Sequence, residues 1–152
     1  MDTISTDRIE KQVVIRAPRS RVWQALADTQ RLGQWFGADL GPGEVANGAQ
    51  LRGRITHAGY EHLMFDVTVE RCEPDRLLAW RWHPDPEHPG AEPTTQVTFE
   101  LTDVEGGTLL TVVESGLAAI PPERRDRVYR GNEEGWSIQV ENVKRHVLGD
   151  DA

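Results

Sequence analysis

The sequence predicts an α+β fold in which a curved antiparallel sheet of about six or seven strands wraps around a long C-terminal helix, with two short helices after the first strand. Three observations predict it. In Gly131 to Leu148, Trp136, Val140, Val143 and Val147 recur at intervals of four, three and four, which sets them on one face of an α-helix. Most of the chain between residues 50 and 114 alternates with the period of two that marks strands. The alternation collects apolar residues on one sheet face only, so the sheet has a face to cover and the helix a stripe to bury.

The elements follow in order. Residues 1–7 are polar and patternless and read as a flexible end, as do 149–152, leaving 8–148 as a single domain. From Arg8 to Ala17, Ile9, Val13 and Ile15 alternate with Glu10, Gln12 and Arg16, a half-buried strand that Pro18 stops. Proline suits the first turn of the helix that follows, whose apolar face holds Val22, Trp23, Ala25 and Leu26. Asp28-Thr29 breaks it and caps a second short helix carrying Leu32, Trp35 and Phe36. The glycine-rich run Gly37 to Gly48 reads as loop, with a short strand near Glu44-Val45.

Strands follow at Leu51–Thr56, Leu63–Glu70, Leu78–Trp82, Val97–Thr102 and Thr108–Glu114. Pro74-Asp75 and Glu105-Gly106-Gly107 are turn signals between them. The loop His83 to Pro93 is too rich in proline to be a central strand. The outer sheet face gathers Arg52, Arg54, Asp66, Glu70, Arg81 and Glu100, with opposite signs available to pair across strands. After Gly116, Pro121-Pro122 opens a charged helical turn; Gly131 interrupts it, and Asn132-Glu133-Glu134 re-caps the final helix. From Asn132 to Leu148 that helix would be about 25 Å long.

Composition narrows the function. A chain of 152 residues buries roughly 70% of its unfolded surface. Its net charge of −8, with dispersed basic residues, argues against nucleic acid or an anionic membrane as partner. Arg124, Arg125, Arg127 and Arg130 are answered by Glu123, Asp126, Glu133 and Glu134 and read as a solvated helical face. No apolar run approaches a membrane span and nothing resembles a signal peptide, so a cytoplasmic protein is expected. The single cysteine, Cys72, excludes an intramolecular disulfide and reads as a structural thiol.

Enzyme motifs are absent: there is no Gly-x-Ser-x-Gly, P-loop, dinucleotide fingerprint or His-Glu-x-x-His. No catalytic residue and no cofactor are therefore assigned. The pairs His57/His62 and His83/His88, the latter beside Asp85 and Glu87, lack the spacing of a zinc site, so no metal is assigned either.

The segments VVIRAPRSRVWQALAD, TQRLGQWF, FDVTVERCEPDRLLAWRW and EEGWSIQVENVKRHV carry a resemblance. The first resembles the opening strand and helix of the START-related, birch-pollen-allergen-like (SRPBCC) superfamily. The others look like its branch related to the activator of the heat-shock-protein-90 ATPase: Trp35-Phe36 after the second helix, Pro74 before an aromatic strand with Trp80 and Trp82, and Gly135-Trp136 opening the last helix. The likeness spans about Ile9 to Leu148 and implies the helix-grip fold, with a deep apolar cavity between sheet and helix.

The residue pattern agrees with that cavity. Phe65, Val67, Trp80, Trp82 and Phe99 on the covered face would meet Trp136, Val140 and Val143 across the gap, and Trp35 and Phe36 would form a mouth. Pockets are mostly apolar with a few placed polar groups, and His57, Gln96, Thr111 and Gln139 are the candidates for these. Three functions are expected, in this order: binding or carriage of a small apolar or aromatic ligand, an enzyme of cyclase, hydrolase or lyase type acting on one, and a stress-related chaperone ATPase regulator. The eukaryotic activators carry an additional N-terminal domain for which 152 residues leave no room. The expected state is a monomer or weak dimer, with a protein partner left open.

Overall fold

The computed structural model describes residues 7–149; the end residues 1–6 and 150–152 of the expected flexible termini lie outside them. The order is β1 (Arg8–Ile15), α1 (Arg19–Ala27), α2 (Thr29–Phe36), β2 (Gln50–Arg54), β3 (Met64–Glu73), β4 (Leu77–Trp82), β5 (Thr95–Val104), β6 (Gly107–Ser115) and α3 (Pro122–Leu148), with a 3₁₀ turn at Leu117–Ala119 before α3. The six strands form one antiparallel sheet in the order β1-β6-β5-β4-β3-β2. Strands β2 to β6 run as a meander, and the first strand closes onto the last, with Arg8 opposite Ser115 and Ile15 opposite Thr108.

Side-chain alternation decides which sheet face is covered. In β6, residues Thr108, Leu110, Val112 and Glu114 point into the core while Thr111 and Val113 are half-buried on the other face. The inner face, α1, α2 and α3 share one core in which Ile15, Leu26, Leu32, Val67, Trp80, Phe99 and Leu110 are almost fully buried. On the outer face Arg52 pairs with Asp66 at 3.3 Å and Arg81 with Glu70 at 3.0 Å, cross-strand contacts in solvent. Gly53 faces inward because the chain crosses over it: a Cβ there would lie 2.0 Å from the carbonyl oxygen of Asp39. That crossing is fixed by a bridge between Ala38 and Ile55 and carries the chain from α2 onto the sheet.

The short helices end as the sequence requires. Asp28 accepts a hydrogen bond from the backbone N–H of Arg31 at 3.0 Å and caps α2, and Gly37 at φ 98° stops it. Pro18 stands one place earlier than expected, as the N-cap of α1. The segment near Glu44-Val45 makes an isolated bridge to Asp28 rather than a strand.

The last helix corrects the sequence reading. It is continuous from Pro122 to Leu148, about 40 Å of helix, and Gly131 does not interrupt it. A glycine inside a helix costs about 1 kcal/mol relative to alanine, and tertiary contacts on both sides of Gly131 outweigh that. Val128 is buried before it, Tyr129 donates its hydroxyl to the carbonyl of Arg8 at 3.1 Å, and Trp136, Val140, Val143 and Val147 are buried after it. At the far end Arg21 donates to the carbonyl of Val147 at 2.7 Å, and Gly149 in the left-handed conformation closes the helix.

Candidate functional site

The aromatic residues proposed to face each other across a gap are in contact. Ring centroids of Trp80 and Phe99 are 4.9 Å apart, those of Phe99 and Trp136 5.7 Å, and those of Trp82 and Trp136 5.8 Å. Trp35, Phe65, Val67, Trp80, Phe99, Trp136, Val140 and Val143 are buried in the common core. Trp35 is fixed there by its Nε1, which donates to the carbonyl of Ala25 at 2.7 Å. Trp80 has no exposed surface, and its Nε1 has no hydrogen-bond partner among the described residues. An orphaned buried donor costs about 1–3 kcal/mol.

Phe36 and Trp82 behave differently. Both are only partly buried, and both line two adjoining hollows at the open end of the sheet. The larger, about 490 Å³, lies between Arg52, Ile55 and the Leu63–Asp66 stretch on one side and the loop after β4 on the other, where Pro84, Asp85, Pro86, Pro89 and Gly90 form the wall. The smaller, about 140 Å³, lies under the middle of α3 and is bounded by Gly131, Asn132, Gly135, Trp136 and Gln139. Asn132, Phe36 and Trp82 border both. Gly131 and Gly135 are one helical turn apart, and a Cβ on either would meet nothing within 4 Å. The two glycines keep this side of the helix open over Trp82 and Phe36.

Behind the hollows lies Glu114, which has no exposed surface. Its Oε2 accepts from Thr95 Oγ1 at 2.6 Å and from Trp82 Nε1 at 3.0 Å; its Oε1 accepts from Trp136 Nε1 at 2.9 Å and from Asn132 Nδ2 at 3.1 Å. Four donors from β4, β5 and α3 thus converge on one carboxyl group, satisfying a polar group that would be prohibitive to bury alone. The network pins the middle of α3 to the sheet at the edge of the cleft.

A second buried carboxyl group holds the wall. Asp85 sits in the proline-rich loop with its side chain fully covered. Arg124 Nη1 and Arg127 Nη2 each reach its Oδ2 at 2.9 Å, His88 Nδ1 lies 3.0 Å from it, and the backbone N–H of Glu87 donates to its Oδ1 at 3.0 Å. Burial pushes the Asp85 carboxyl up, but the hydrogen bonds from Arg127, the Glu87 backbone and Arg124 outweigh it and hold it at about 2. Arg124 is therefore not part of the solvated face expected of it, and Arg127, though exposed as expected, joins it in clamping the loop onto the start of α3.

Of the expected polar groups, Gln139 borders the smaller hollow, where its Nε2 donates to the carbonyl of Phe36 at 3.0 Å. The structure places the other three elsewhere. Thr111 is on the outer face, bonded to Gln12; Gln96 is also outside, donating to Glu70; His57 lies in an exposed turn with its ring against Tyr60. Strand alternation explains the first two, because Thr111 and Gln96 fall between the inward-facing positions. His62 and His83 do line the larger hollow, with Asp66. Among the described residues no cluster of three or more His, Cys, Asp or Glu is arranged to hold a metal. Burial raises the pKa of the Cys72 thiol, and its Sγ lies 3.5 Å from the carbonyl oxygen of Val45.

Glu114, Asn132 and Asp85 were missed by sequence reasoning. For Glu114 the signal was present: it continues the inward series Leu110, Val112 by one more step of two.

Among the described residues no helix is long and apolar enough to cross a membrane. No curated protein sequence matches the chain. Solved structures do. DynU16, from the dynemicin biosynthetic locus, is 28% identical with a TM-score of 0.72 over 93% of this chain, which spans about half of it (47%). Protein MLL2253 of Mesorhizobium loti is 25% identical with a TM-score of 0.73, over 95% of this chain and 98% of its own. The solution structure of the Aha1 dimer from Colwellia psychrerythraea, 19% identical with a TM-score of 0.69 over 92% and 95%, shows the shared fold. The family model described as activator of Hsp90 ATPase homolog 1-like protein matches residues 16–147, which runs from before α1 to the last turn of α3. The chain belongs to this family of activator of Hsp90 ATPase homolog 1-like proteins.

Proposed function

We propose that the protein binds a small apolar or aromatic molecule in the cleft formed by Phe36, Trp82, α3 and the loop after β4. The observation that carries this reading is the pair of adjoining hollows, about 490 and 140 Å³, walled by aromatic rings and joined at Phe36, Trp82 and Asn132. Their size is that of a small-ligand site, and apolar walls with a few convergent polar groups are what such sites use. The half-buried Trp82 lines both hollows, while the packed core behind it, held by the Glu114 network, keeps the site preformed. A preformed cleft loses less free energy to ordering on binding. The place of DynU16 in a biosynthetic locus fits carriage of such a molecule.

The enzyme reading stands second because titratable groups do line the larger hollow: Asp66, His62 and His83. The chaperone reading rests on the family's description alone.

Tryptophan emission is the direct test, since Trp82 and Trp136 border the cleft. Titration with a panel of flavonoids, fatty acids and polyketides should give a saturable change with at least one class. A Trp82→Phe variant should show the change reduced. Silence across the panel, with no small molecule retained in a native mass spectrum, would remove the reading. Stimulation of a heat-shock-90 ATPase by the protein would put the chaperone reading in its place.

A further inference from the structure

We infer that Asn132 sets the ligand's chemistry: its Oδ1 is an acceptor, fixed in orientation by Glu114, that selects an aromatic ring bearing a hydrogen-bond donor such as a phenolic hydroxyl. This rests on the cleft being a ligand site and names what the ligand carries.

The orientation of the Asn132 amide is forced. Its Nδ2 lies 3.1 and 3.3 Å from the two oxygens of Glu114 and 3.3 Å from the carbonyl oxygen of Pro84. A backbone carbonyl can only accept. Each Glu114 oxygen also receives an indole N–H, from Trp82 on one and Trp136 on the other. An amide turned over would set its oxygen against the Pro84 carbonyl, which has no proton to give it. Nδ2 therefore faces inward, and Oδ1 is left as the polar atom Asn132 offers to the hollows it borders. Oδ1 accepts no hydrogen bond among the described residues, and Asn132 is half-buried on the border shared by both hollows.

Trp82 connects the two functions of the device. The indole whose N–H helps fix Glu114 also lines both hollows beside Asn132. A planar ring placed against Trp82 and Phe36 meets the Asn132 oxygen at its edge, where a hydroxyl or ring N–H would donate. Acceptors on the ligand find no donor in the Asn132 side chain, whose N–H groups are turned to Glu114 and Pro84. Glu114 is a positioning residue here, acting through Asn132.

The test compares β-naphthol with its methyl ether by isothermal titration calorimetry. The two share the ring, and only the naphthol can donate. The wild-type protein should bind the naphthol about tenfold more tightly, the effect of one net hydrogen bond of about 1–1.5 kcal/mol. Asn132→Leu, which keeps bulk at that point and removes the acceptor, should bring the ratio of the two affinities down five- to tenfold. Glu114→Gln should also lower the preference, because an amide N–H in place of one acceptor loosens the hold on the Asn132 amide, which the Pro84 carbonyl then orients alone; a purely structural role would weaken both probes alike. Should the Gln variant fail to fold, Asn132→Leu decides alone. Equal wild-type affinities, or a preference that survives Asn132→Leu, would overturn the inference and leave the cleft as a binding site. Binding of neither probe would overturn the inference and leave the cleft reading to the wider ligand panel.

Discussion

Glu114 is a residue on which four others depend. Two indoles, a hydroxyl and an amide donate to it, and none of the indole donors has a second partner. Removing the carboxyl group therefore costs more than its own hydrogen bonds, because it leaves Trp82 and Trp136 with buried N–H groups unsatisfied. At about 1–3 kcal/mol for each stranded donor, Glu114→Ala should destabilise the protein by roughly 3 kcal/mol, read as a lowered urea midpoint. A loss within about 0.5 kcal/mol would mean that water replaces the carboxyl group. Single residues of this kind were only half legible in the sequence. Alternation along β6 predicts that Glu114 points inward, but a glutamate at the end of a strand is ordinarily surface, and its donors lie 18 to 32 residues away in sequence. Likewise Gln96 and Thr111 looked suited to a cavity by chemistry, and their place in the two-residue period put them outside.

At the scale of the element, α3 combines two demands that conflict. Its apolar stripe of Val128, Trp136, Val140, Val143 and Val147 grips the sheet, and the part from Trp136 to Val147 was readable from spacing alone. Its two glycines weaken the helix while holding the smaller hollow open. Gly131 looked like punctuation in the sequence because glycine more often ends a helix than occupies its middle; only the sheet below shows that the missing side chains leave space over Trp82. The two roles separate in one experiment. Gly131→Ala and Gly135→Ala should each raise stability by about 1 kcal/mol, measured by urea unfolding, and weaken binding of any cleft ligand found by tryptophan titration. If stability rises and binding is unchanged, the glycines are merely tolerated and the smaller hollow takes no part.

For the whole molecule, element order and sheet pattern were legible because each strand has one wet and one covered face, and a slip of one residue would exchange them. What was not legible is how the pieces are tied where the pattern stops. The loop from His83 to Pro93 has no periodicity, yet through Asp85 it is clamped by Arg124 and Arg127 and walls the larger hollow. This clamp makes the molecule's stability depend on acidity in a predictable direction. The Asp85 carboxyl is held at about 2 in the folded protein against 3.8 for the unperturbed group, so between these values the unfolded chain binds the extra proton. The contribution of Asp85 is then complete above pH 4 to 5 and lost as pH falls through about 2, and the shift corresponds to about 2 kcal/mol. Glu70, lowered by Gln96 and Arg81 on the outer face, titrates in the same direction, so the wild-type curve alone would not isolate the clamp. The difference between wild type and Asp85→Asn does isolate it: their urea-derived stabilities should be furthest apart near neutrality and converge as the pH approaches 2. A gap that stays constant across that range would mean that Asp85 acts through shape and hydrogen bonding alone, with its charge playing no part in holding the loop to α3.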